Sequence, residues 1–334
     1  MKAWRVHELG APGDVLRWED VPDPGPGPGE VLVRVDAVGL NFADVLLCAG
    51  QYQERPAAPF TPGLEIAGTV LEAGGGAGFA AGDRVLGGPP LPGGGLAELA
   101  VLPPGGAFRM PADMPAADGA ALLITYQTAY VGLHRRAGLR AGETLLVHAG
   151  AGGVGSAAIQ VGLAAGARVV ATAGGPEKVQ VCRELGAHEV LDYRAEPDLA
   201  KRVKELTGGR GADVIWDSVG GEVFEASRRC VAFEGRLVVV GFAGGQIPQV
   251  PAGHVLVKNY SVVGLHWGLY RTANPAVVAE AHEALLRLYA AGAVRPLVSE
   301  RLPLAAAPDA LTRLAARATT GKVVLLPGGA PDPS

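Results

Sequence analysis

The sequence predicts an α/β protein of two domains, one built on a doubly wound parallel sheet and the other rich in β structure. From about residue 125, apolar runs of Val, Ile and Leu alternate with helical patterns, a spacing typical of right-handed βαβ units. The first third shows the apolar–polar alternation of half-buried strands, as in Val31–Val38. A chain of 334 residues has the length of about two domains.

Glycine and proline are unusually abundant, with 50 and 26 residues respectively, a proportion close to that of disordered chains. Hydrophobic residues nevertheless make up 49% of the chain and its net charge is only −4, whereas disordered chains are poor in apolar residues and strongly charged. We therefore interpret the glycines as tight turns in a folded protein. Disorder is expected only in the proline-rich tail, Pro327–Ser334.

The charged residues and the cysteines exclude several classes of protein. The 29 lysines and arginines are scattered and are outnumbered by 33 acidic residues, so we expect neither a nucleic acid nor a membrane as partner. Cys48, Cys182 and Cys230 form no C-x-x-C pair, which argues against a disulfide framework or a zinc finger. The first residues lack the apolar segment of a signal peptide, and we expect a cytoplasmic location.

The order of the predicted elements sets the domain boundaries. The β-rich region has further strand candidates at Ile66–Ala73 and Arg84–Leu86. The parallel sheet is predicted to have strands at Thr144–Ala149, Arg168–Ala173, Glu189–Asp192, Asp213–Asp217 and Arg236–Gly241, and helices at Val154–Ala165, Pro176–Leu185, Asp198–Leu206 and Glu222–Cys230. A strand at Ser261–Leu265 is followed by two helices, Pro275–Ala291 and Pro308–Ala318, and a last strand, Lys322–Leu326. Because one strand and two helices make a poor third domain, we assign residues 1–124 and 265–334 to the β-rich domain and 125–264 to the parallel-sheet domain.

A glycine motif follows the first predicted strand of the parallel sheet and opens its first helix. Residues 150–155 read Gly-Ala-Gly-Gly-Val-Gly, which matches the G-x-G-x-x-G turn of Rossmann dinucleotide-binding domains. Such glycines allow a tight turn, close approach of a pyrophosphate, and close helix–strand packing. The candidate cofactor-binding residues in this turn are Gly150, Gly152, Gly153, Val154 and Gly155. A bare packing turn is the alternative interpretation.

The end of the second strand indicates which dinucleotide binds. NAD-binding domains usually place an acidic residue there, which hydrogen-bonds the ribose 2′-hydroxyl. Here the strand Arg168–Ala173 runs into Gly-Gly-Pro without an acid, and Lys178 follows in the next helix. A lysine at that place suits a 2′-phosphate, so the sequence favours NADPH, although an ordinary surface lysine is the alternative.

Two other enzyme classes are excluded by missing motifs. The sequence has no G-x-S-x-G elbow, which α/β-hydrolases require for the nucleophilic serine. None of the seven tyrosines has a lysine four residues later, the spacing that a short-chain dehydrogenase needs.

The chain resembles the zinc-independent medium-chain dehydrogenase/reductases, specifically the quinone oxidoreductase (zeta-crystallin-like) branch. The resemblance extends over essentially the whole chain and implies a GroES-like substrate domain beside the Rossmann domain. The segments that carry it are Val38–Asp44, Pro62–Gly68, Gly82–Val85, His148–Gly155 and Ala318–Lys322.

Zinc-dependent members of the superfamily have Cys and His at the positions where this chain has Asn41 and Leu64, while the neighbouring Glu65 is retained. A catalytic zinc needs about three protein ligands. The resemblance therefore implies an enzyme without a metal.

The resemblance also assigns roles to individual residues. It places Asn41 near the nicotinamide and Tyr52 in the substrate pocket, and these two are the candidate catalytic residues. Other candidate cofactor contacts are Thr128 and Phe242 beside the nicotinamide, and Lys178, Tyr193 and Arg317 around the 2′-phosphate. Each has an ordinary alternative, such as a helix cap for Asn41, a half-buried loop aromatic for the tyrosines, or a surface charge for Arg317.

The implied activity is hydride transfer from NADPH to a quinone without metal, with no general acid evident. A reductase of α,β-unsaturated carbonyls or enoyl thioesters is the alternative enzyme. An NADPH-binding protein with a structural or regulatory role is the alternative from another class. A homodimer is expected, with Ser261–Leu265 as the sheet edge that pairs with a second subunit.

Overall fold

The computed structural model describes residues 1–328 and separates into two compact units. The first comprises Met1–Ile124 and Pro296–Ser334, and the second comprises Thr125–Arg295. Residues 329–334, which form most of the tail predicted to be disordered, lie outside the described residues.

Strands and helices are distributed over both units. The strands are β1 (Lys2–Val6), β2 (Leu16–Asp20), β3 (Val31–Gly39), β4 (Ile66–Ala73), β5 (Arg84–Gly87), β6 (Leu99–Leu102), β7 (Ala107–Arg109), β8 (Thr144–Val147), β9 (Arg168–Ala173), β10 (Glu189–Asp192), β11 (Ala212–Asp217), β12 (Val231–Val239), β13 (Ser261–Gly264), β14 (Val298–Pro303) and β15 (Lys322–Leu326). The helices are α1 (Pro12–Val15), α2 (Phe42–Cys48), α3 (Ala116–Tyr130), α4 (Gly153–Ala164), α5 (Pro176–Glu184), α6 (Leu199–Leu206), α7 (Gly221–Cys230), α8 (Ala252–Lys258), α9 (Trp267–Ala273), α10 (Pro275–Ala290) and α11 (Ala307–Ala315).

The first unit is built around β3, the strand that the alternating pattern predicts. Its main sheet has the order β14-β15-β3-β4-β5-β7, and β6 also pairs with β3. The core of this unit includes the fully buried Phe60, Ile66 and Leu96. The chain returns from residue 296 to add β14 and β15, so that β15 pairs antiparallel with the end of β3. This return brings the last strand beside the segment that leads into α2.

The second unit contains a six-stranded sheet in the order β10-β9-β8-β11-β12-β13. Every pair in it is parallel. Counted from β8, this is the 3-2-1-4-5-6 order of a doubly wound sheet, which binds ligands at the carboxyl ends of strands where the winding reverses. The predicted fold class is thus confirmed, and the glycine turn after β8 lies at the point of reversal.

The predicted domain boundary at residue 265 is wrong. Residues 265–295 belong to the second unit rather than the first. The indole Nε1 of Trp267 donates to Oε1 of Gln127 at 3.2 Å, and the backbone N–H of Arg295 donates to Oε1 of Gln160 at 2.7 Å. These bonds fix both ends of the α9–α10 segment to helices of the second unit. Over residues 1–328, no helix has the length and apolar character needed to cross a bilayer.

Candidate active site

The glycine turn forms a close contact between β8 and α4. The left-handed backbone conformation falls on Ala149, with φ of +50°, and Ala149 accepts a hydrogen bond from the N–H of Gly152 at 2.9 Å. A Cβ on Gly155 would collide with the carbonyl oxygen of Ala149 and lie 2.9 Å from Cα of Gly150. Only glycine therefore lets the helix begin so close to the turn.

Gly150 and Gly152 differ in the space around them. A Cβ on Gly150 would lie 2.9 Å from Sγ of Cys182 and 3.1 Å from Cβ of Ala171, so this glycine is needed for space beneath the turn. A Cβ on Gly152 would meet only the oxygen of Ala149, at 3.3 Å, which leaves its outer side open to a ligand. Because the first N–H groups of a helix have no intrahelical partner, they suit a phosphate at this place.

Tyr193 lies directly over the end of the second strand of the sheet. A Cβ on Gly174 would collide with the phenol oxygen of Tyr193. The next residue, Gly175, has φ of +91° and donates its N–H to Oδ1 of Asp192 at 3.0 Å. That bond and the N–H of Arg194 hold the pKa of Asp192 below its ordinary value. The acid nearest this strand end is thus used to hold the turn between β9 and α5.

Arg194 adds a second positive charge near Lys178 at the same strand end, and it was not predicted from the sequence. Partial burial and the nearby charge of Arg194 lower the pKa of Lys178, and Nη1 of Arg194 lies 3.3 Å from where a Cβ on Gly175 would stand. Its position directly after Tyr193, at the end of the adjacent strand, is the signal that identifies it. Arg317 is exposed and belongs to the first unit, where it follows α11 with φ of +57°.

The loop that contains Phe242 is held by backbone hydrogen bonds to the loop after β11. The N–H of Ala243 donates to the oxygen of Ser218 at 3.0 Å, and the N–H of Gly244 donates to Val219 at 2.8 Å. A Cβ on Gly220 would lie 3.0 Å from Cδ1 of Phe242. The Phe242 backbone is therefore in a fixed position at the carboxyl end of the sheet.

Asp217 stabilises the loop after β11 by accepting two backbone hydrogen bonds. It is 1% exposed, and its Oδ1 accepts the N–H groups of Val219 at 2.8 Å and Gly220 at 2.9 Å. Thr128, the remaining candidate in this unit, is buried on α3. The candidate contacts in the second unit thus follow the carboxyl ends of β8, β10 and β12 or lie on helices α3 and α5.

In the first unit, the Asn41 side chain is held by a buried ion pair. Asn41 precedes α2, and its Nδ2 donates to the oxygen of Gly39 at 3.1 Å and to Oε1 of Glu65 at 2.9 Å. Its Oδ1 accepts a hydrogen bond from Nζ of Lys322 at 2.7 Å. Lys322 also forms a salt bridge with Glu65.

Glu65 and Lys322 are almost fully buried, at 0% and 2% exposed. Nζ of Lys322 also donates to the oxygen of Leu40 at 2.7 Å, and Oε2 of Glu65 accepts the N–H of Ile124 at 2.8 Å. Glu65 was noted from the sequence, whereas Lys322 was not. A lysine that opens an otherwise apolar strand is the pattern that identifies it.

Two further polar residues lie near this cluster along the chain. Asp44 accepts the N–H of Asn41 at 2.8 Å and that of Gly63 at 2.9 Å. Burial nevertheless raises the pKa of Asp44 to about 6. Tyr52 follows α2 and packs, partly buried, against the core of the first unit.

A doubly wound sheet with a glycine-rich first turn, together with a β-rich unit that carries a buried polar cluster, defines a two-domain dehydrogenase. Residues 27–112 match the family described as "Alcohol dehydrogenase GroES-like domain", and residues 153–284 match "Zinc-binding dehydrogenase". The predicted GroES-like domain is confirmed.

Known proteins with similar sequences extend this result over nearly the whole chain. "Quinone oxidoreductase-like protein 2 homolog" of Nematostella vectensis is 42% identical over 302 residues, which cover 90% of this chain and 82% of that protein. The Pseudomonas aeruginosa "Quinone oxidoreductase" is 39% identical over 317 residues, covering 94% and 96% of the two chains. The structure of Escherichia coli quinone oxidoreductase complexed with NADPH has a TM-score of 0.90 at 32% identity and covers 98% of this chain and all of that one (100%). The chain belongs to the medium-chain dehydrogenase/reductase family and is an oxidoreductase.

The residues at the position of the family's catalytic zinc do not fit that metal. Asn41 and Leu64 are not zinc ligands of the usual kind, and the carboxylate of Glu65 is paired with Lys322. Within residues 1–328, no three His, Cys, Asp or Glu side chains are grouped so as to hold a metal ion. A cation here would have to displace a buried ammonium group.

Proposed function

We propose that this protein is an NADPH-dependent quinone oxidoreductase that transfers hydride to a quinone without a metal. The observation that carries the cofactor preference is the strand end at Gly174. No carboxylate at the end of β9 is available for a ribose 2′-hydroxyl, and Asp192 of the next strand is bound to the N–H groups of Gly175 and Arg194. Lys178 instead supplies positive charge.

Different groups of residues would bind the different parts of NADPH. The turn of Gly150, Gly152, Gly153, Val154 and Gly155 would hold the pyrophosphate on the N-terminus of α4. Lys178, Tyr193 and Arg317 would hold the 2′-phosphate, while Thr128, Phe242 and Asn41 would contact the nicotinamide end. NADPH, when bound, supplies the hydride.

The absence of a suitable zinc ligand set determines the substrate class that we propose. A metal in related dehydrogenases polarises a carbonyl or an alkoxide. The cluster of Asn41, Glu65 and Lys322 offers no Lewis acid in its place. The favoured acceptors are therefore molecules that take up hydride readily, of which quinones are the simplest. Tyr52 would line the pocket for the acceptor.

Two further properties complete the proposal. We propose a homodimer, because β13 is the outer strand of its sheet and the neighbouring α8 exposes Leu256 and Val257 at 77% and 79%. A monomer in light scattering at micromolar concentration would contradict it.

We also propose a cytoplasmic location, which the three buried free thiols of Cys48, Cys182 and Cys230 suit.

The test is NADPH oxidation with a panel of acceptors. A quinone should be reduced to hydroquinone with one NADPH consumed for each molecule. Reduction of enones or enoyl thioesters in its place, seen as a saturated C–C bond in the product, would favour the alternative enzyme. Tight NADPH binding without turnover of any acceptor would favour a regulatory role.

A further inference from the structure

We propose that Lys322 and Glu65 are positioning residues that fix the orientation of the Asn41 amide, with Oδ1 towards Lys322 and Nδ2 towards Glu65. This inference rests on the proposed function for the identity of the ligand, the nicotinamide end of NADPH. The orientation itself rests on contacts within the first unit alone.

The partners of the amide define its orientation. A lysine ammonium can only donate hydrogen bonds, and an ionised carboxylate can only accept them. Nζ of Lys322 meets Oδ1 of Asn41 at 2.7 Å, while Oε1 of Glu65 meets Nδ2 at 2.9 Å. An amide turned by 180° would face Lys322 with N–H groups and Glu65 with an oxygen. Both hydrogen bonds would be lost together.

The hydrogen-bonding capacity of Asn41 is then almost fully used. An amide group has two N–H donors and two oxygen lone pairs. Gly39 and Glu65 accept from the nitrogen, and Lys322 donates to the oxygen. The Asn41 side chain also takes part in a capping box with Asp44 at the start of α2. A rotated amide could not keep these bonds, so the contacts of Asn41 with its neighbours allow one orientation only.

Further hydrogen bonds hold the ion pair of Glu65 and Lys322 in place. Lys322 donates to Leu40 at 2.7 Å, and Glu65 accepts from Ile124 at 2.8 Å. These bonds join β15, the segment before α2, the start of β4 and helix α3. Buried ion pairs contribute little net stability compared with apolar residues of the same shape, because desolvation of both charges offsets their attraction. Orientation of Asn41 is a role that apolar residues would not perform.

The decisive variant is the double substitution Glu65→Gln with Lys322→Met. It removes both charges at nearly constant shape, whereas Lys322→Met alone leaves a buried carboxylate unpaired. We expect the single variant to lose much thermal stability and the double variant to recover most of it. The kcat of the double variant should still fall about tenfold, with the KM for quinone little changed, because glutamine accepts either orientation of the amide.

A matched control is available in the same unit. Arg313 forms two hydrogen bonds with Glu300, at 2.9 and 2.7 Å, across β14 and α11. The variant Glu300→Gln with Arg313→Met removes an ion pair from the same unit, and its kcat should equal that of the wild type. A tenfold loss there as well would show that any lost ion pair lowers activity and would overturn the proposal.

A double-mutant cycle shows whether the pair acts through Asn41. Asn41→Ala should lower kcat, and adding Glu65→Gln/Lys322→Met to it should lower kcat no further. Losses that multiply would overturn the proposal, as would wild-type kcat in the Glu65→Gln/Lys322→Met variant.

NMR gives a readout that does not depend on the proposed activity. The chain has only three asparagines, Asn41, Asn259 and Asn274, so labelling asparagine with ¹⁵N yields three side-chain amide pairs. The Asn41 pair, assigned with Asn41→Ala, should exchange with solvent slowly in the wild type and much faster in the Glu65→Gln/Lys322→Met variant. Unchanged exchange would overturn the inference. Failure of the wild type to reduce any quinone would contradict the proposed function instead, and the NMR test would still decide the orientation.

Discussion

Nζ of Lys322 donates a 2.7 Å hydrogen bond to Oδ1 of Asn41, although 281 residues separate the two along the chain. The bond exists because β15 returns to pair with the end of β3, where the chain continues towards Asn41 and α2. Strand β15 thereby supplies a buried charge to the segment before α2, which we propose to contact the nicotinamide. The fold and the candidate active site are coupled at this position.

Lys178→Ala should weaken NADPH binding far more than NADH binding. Loss of a hydrogen bond to a charged group costs about 1.5–3 kcal/mol, so the KM for NADPH should rise roughly tenfold to a hundredfold. Steady-state kinetics with each cofactor measures this. Lys201→Ala, at an exposed lysine of α6, is the control and should change neither. Equal effects of Lys178→Ala on both cofactors would show that the lysine is only a surface charge.

Arg194→Ala should have an effect of the same direction but smaller size. The guanidinium is exposed and surface charge interactions are screened by salt, so we expect a severalfold rise in the KM for NADPH at low ionic strength. The rise should shrink as salt is added. Arg202→Ala, at a surface arginine paired with Glu205, should leave the KM unchanged, and an effect as large as that of Arg194→Ala would contradict the assignment.

The two glycines of the turn should respond differently to alanine. Gly155→Ala places a Cβ against the backbone of Ala149, and overpacking of this kind costs about 1–3 kcal/mol. Gly152→Ala meets only one oxygen, at 3.3 Å, so the fold should tolerate it while NADPH binding weakens. Urea unfolding and fluorescence titration with NADPH measure the two effects separately. Normal NADPH affinity in Gly152→Ala would contradict the proposed pyrophosphate site.

Asp44 should make the stability of the protein depend on pH below neutrality. Burial raises its pKa from 3.8 to about 6, so the folded protein binds this proton more tightly than the unfolded chain. The resulting stability is fully present below about pH 4 and is lost as the pH rises through 6. Relative to Asp44→Asn, the wild type should gain about 1 kcal/mol between pH 7 and pH 5. Urea unfolding at both values tests this, and a difference that does not change with pH would contradict it.

Local sequence patterns predicted the structural features that are set by residues close together in the sequence. The glycine turn and the parallel strands follow from glycine spacing and apolar runs, and the structure has both. Lys178 was predicted from the end of the second strand, which lacks an acidic residue, and Tyr193 from the family resemblance. Arg194 was missed, although it directly follows Tyr193.

Long-range contacts were not predictable in the same way. Lys322 meets Glu65 across 257 residues, and no periodicity near either residue indicates the partner. The boundary error at residue 265 has a similar cause. The pattern of α10 shows that one face is buried, but it does not show that the segment is joined to Gln127 and Gln160 of the second unit.

The most direct test of the whole account is rapid mixing of the NADPH-loaded protein with a simple quinone. We predict that NADPH is consumed and hydroquinone formed in equal amounts, in the presence of a metal chelator as well as in its absence. NADPH that stays bound and unoxidised with every quinone, or a rate abolished by the chelator, would contradict it.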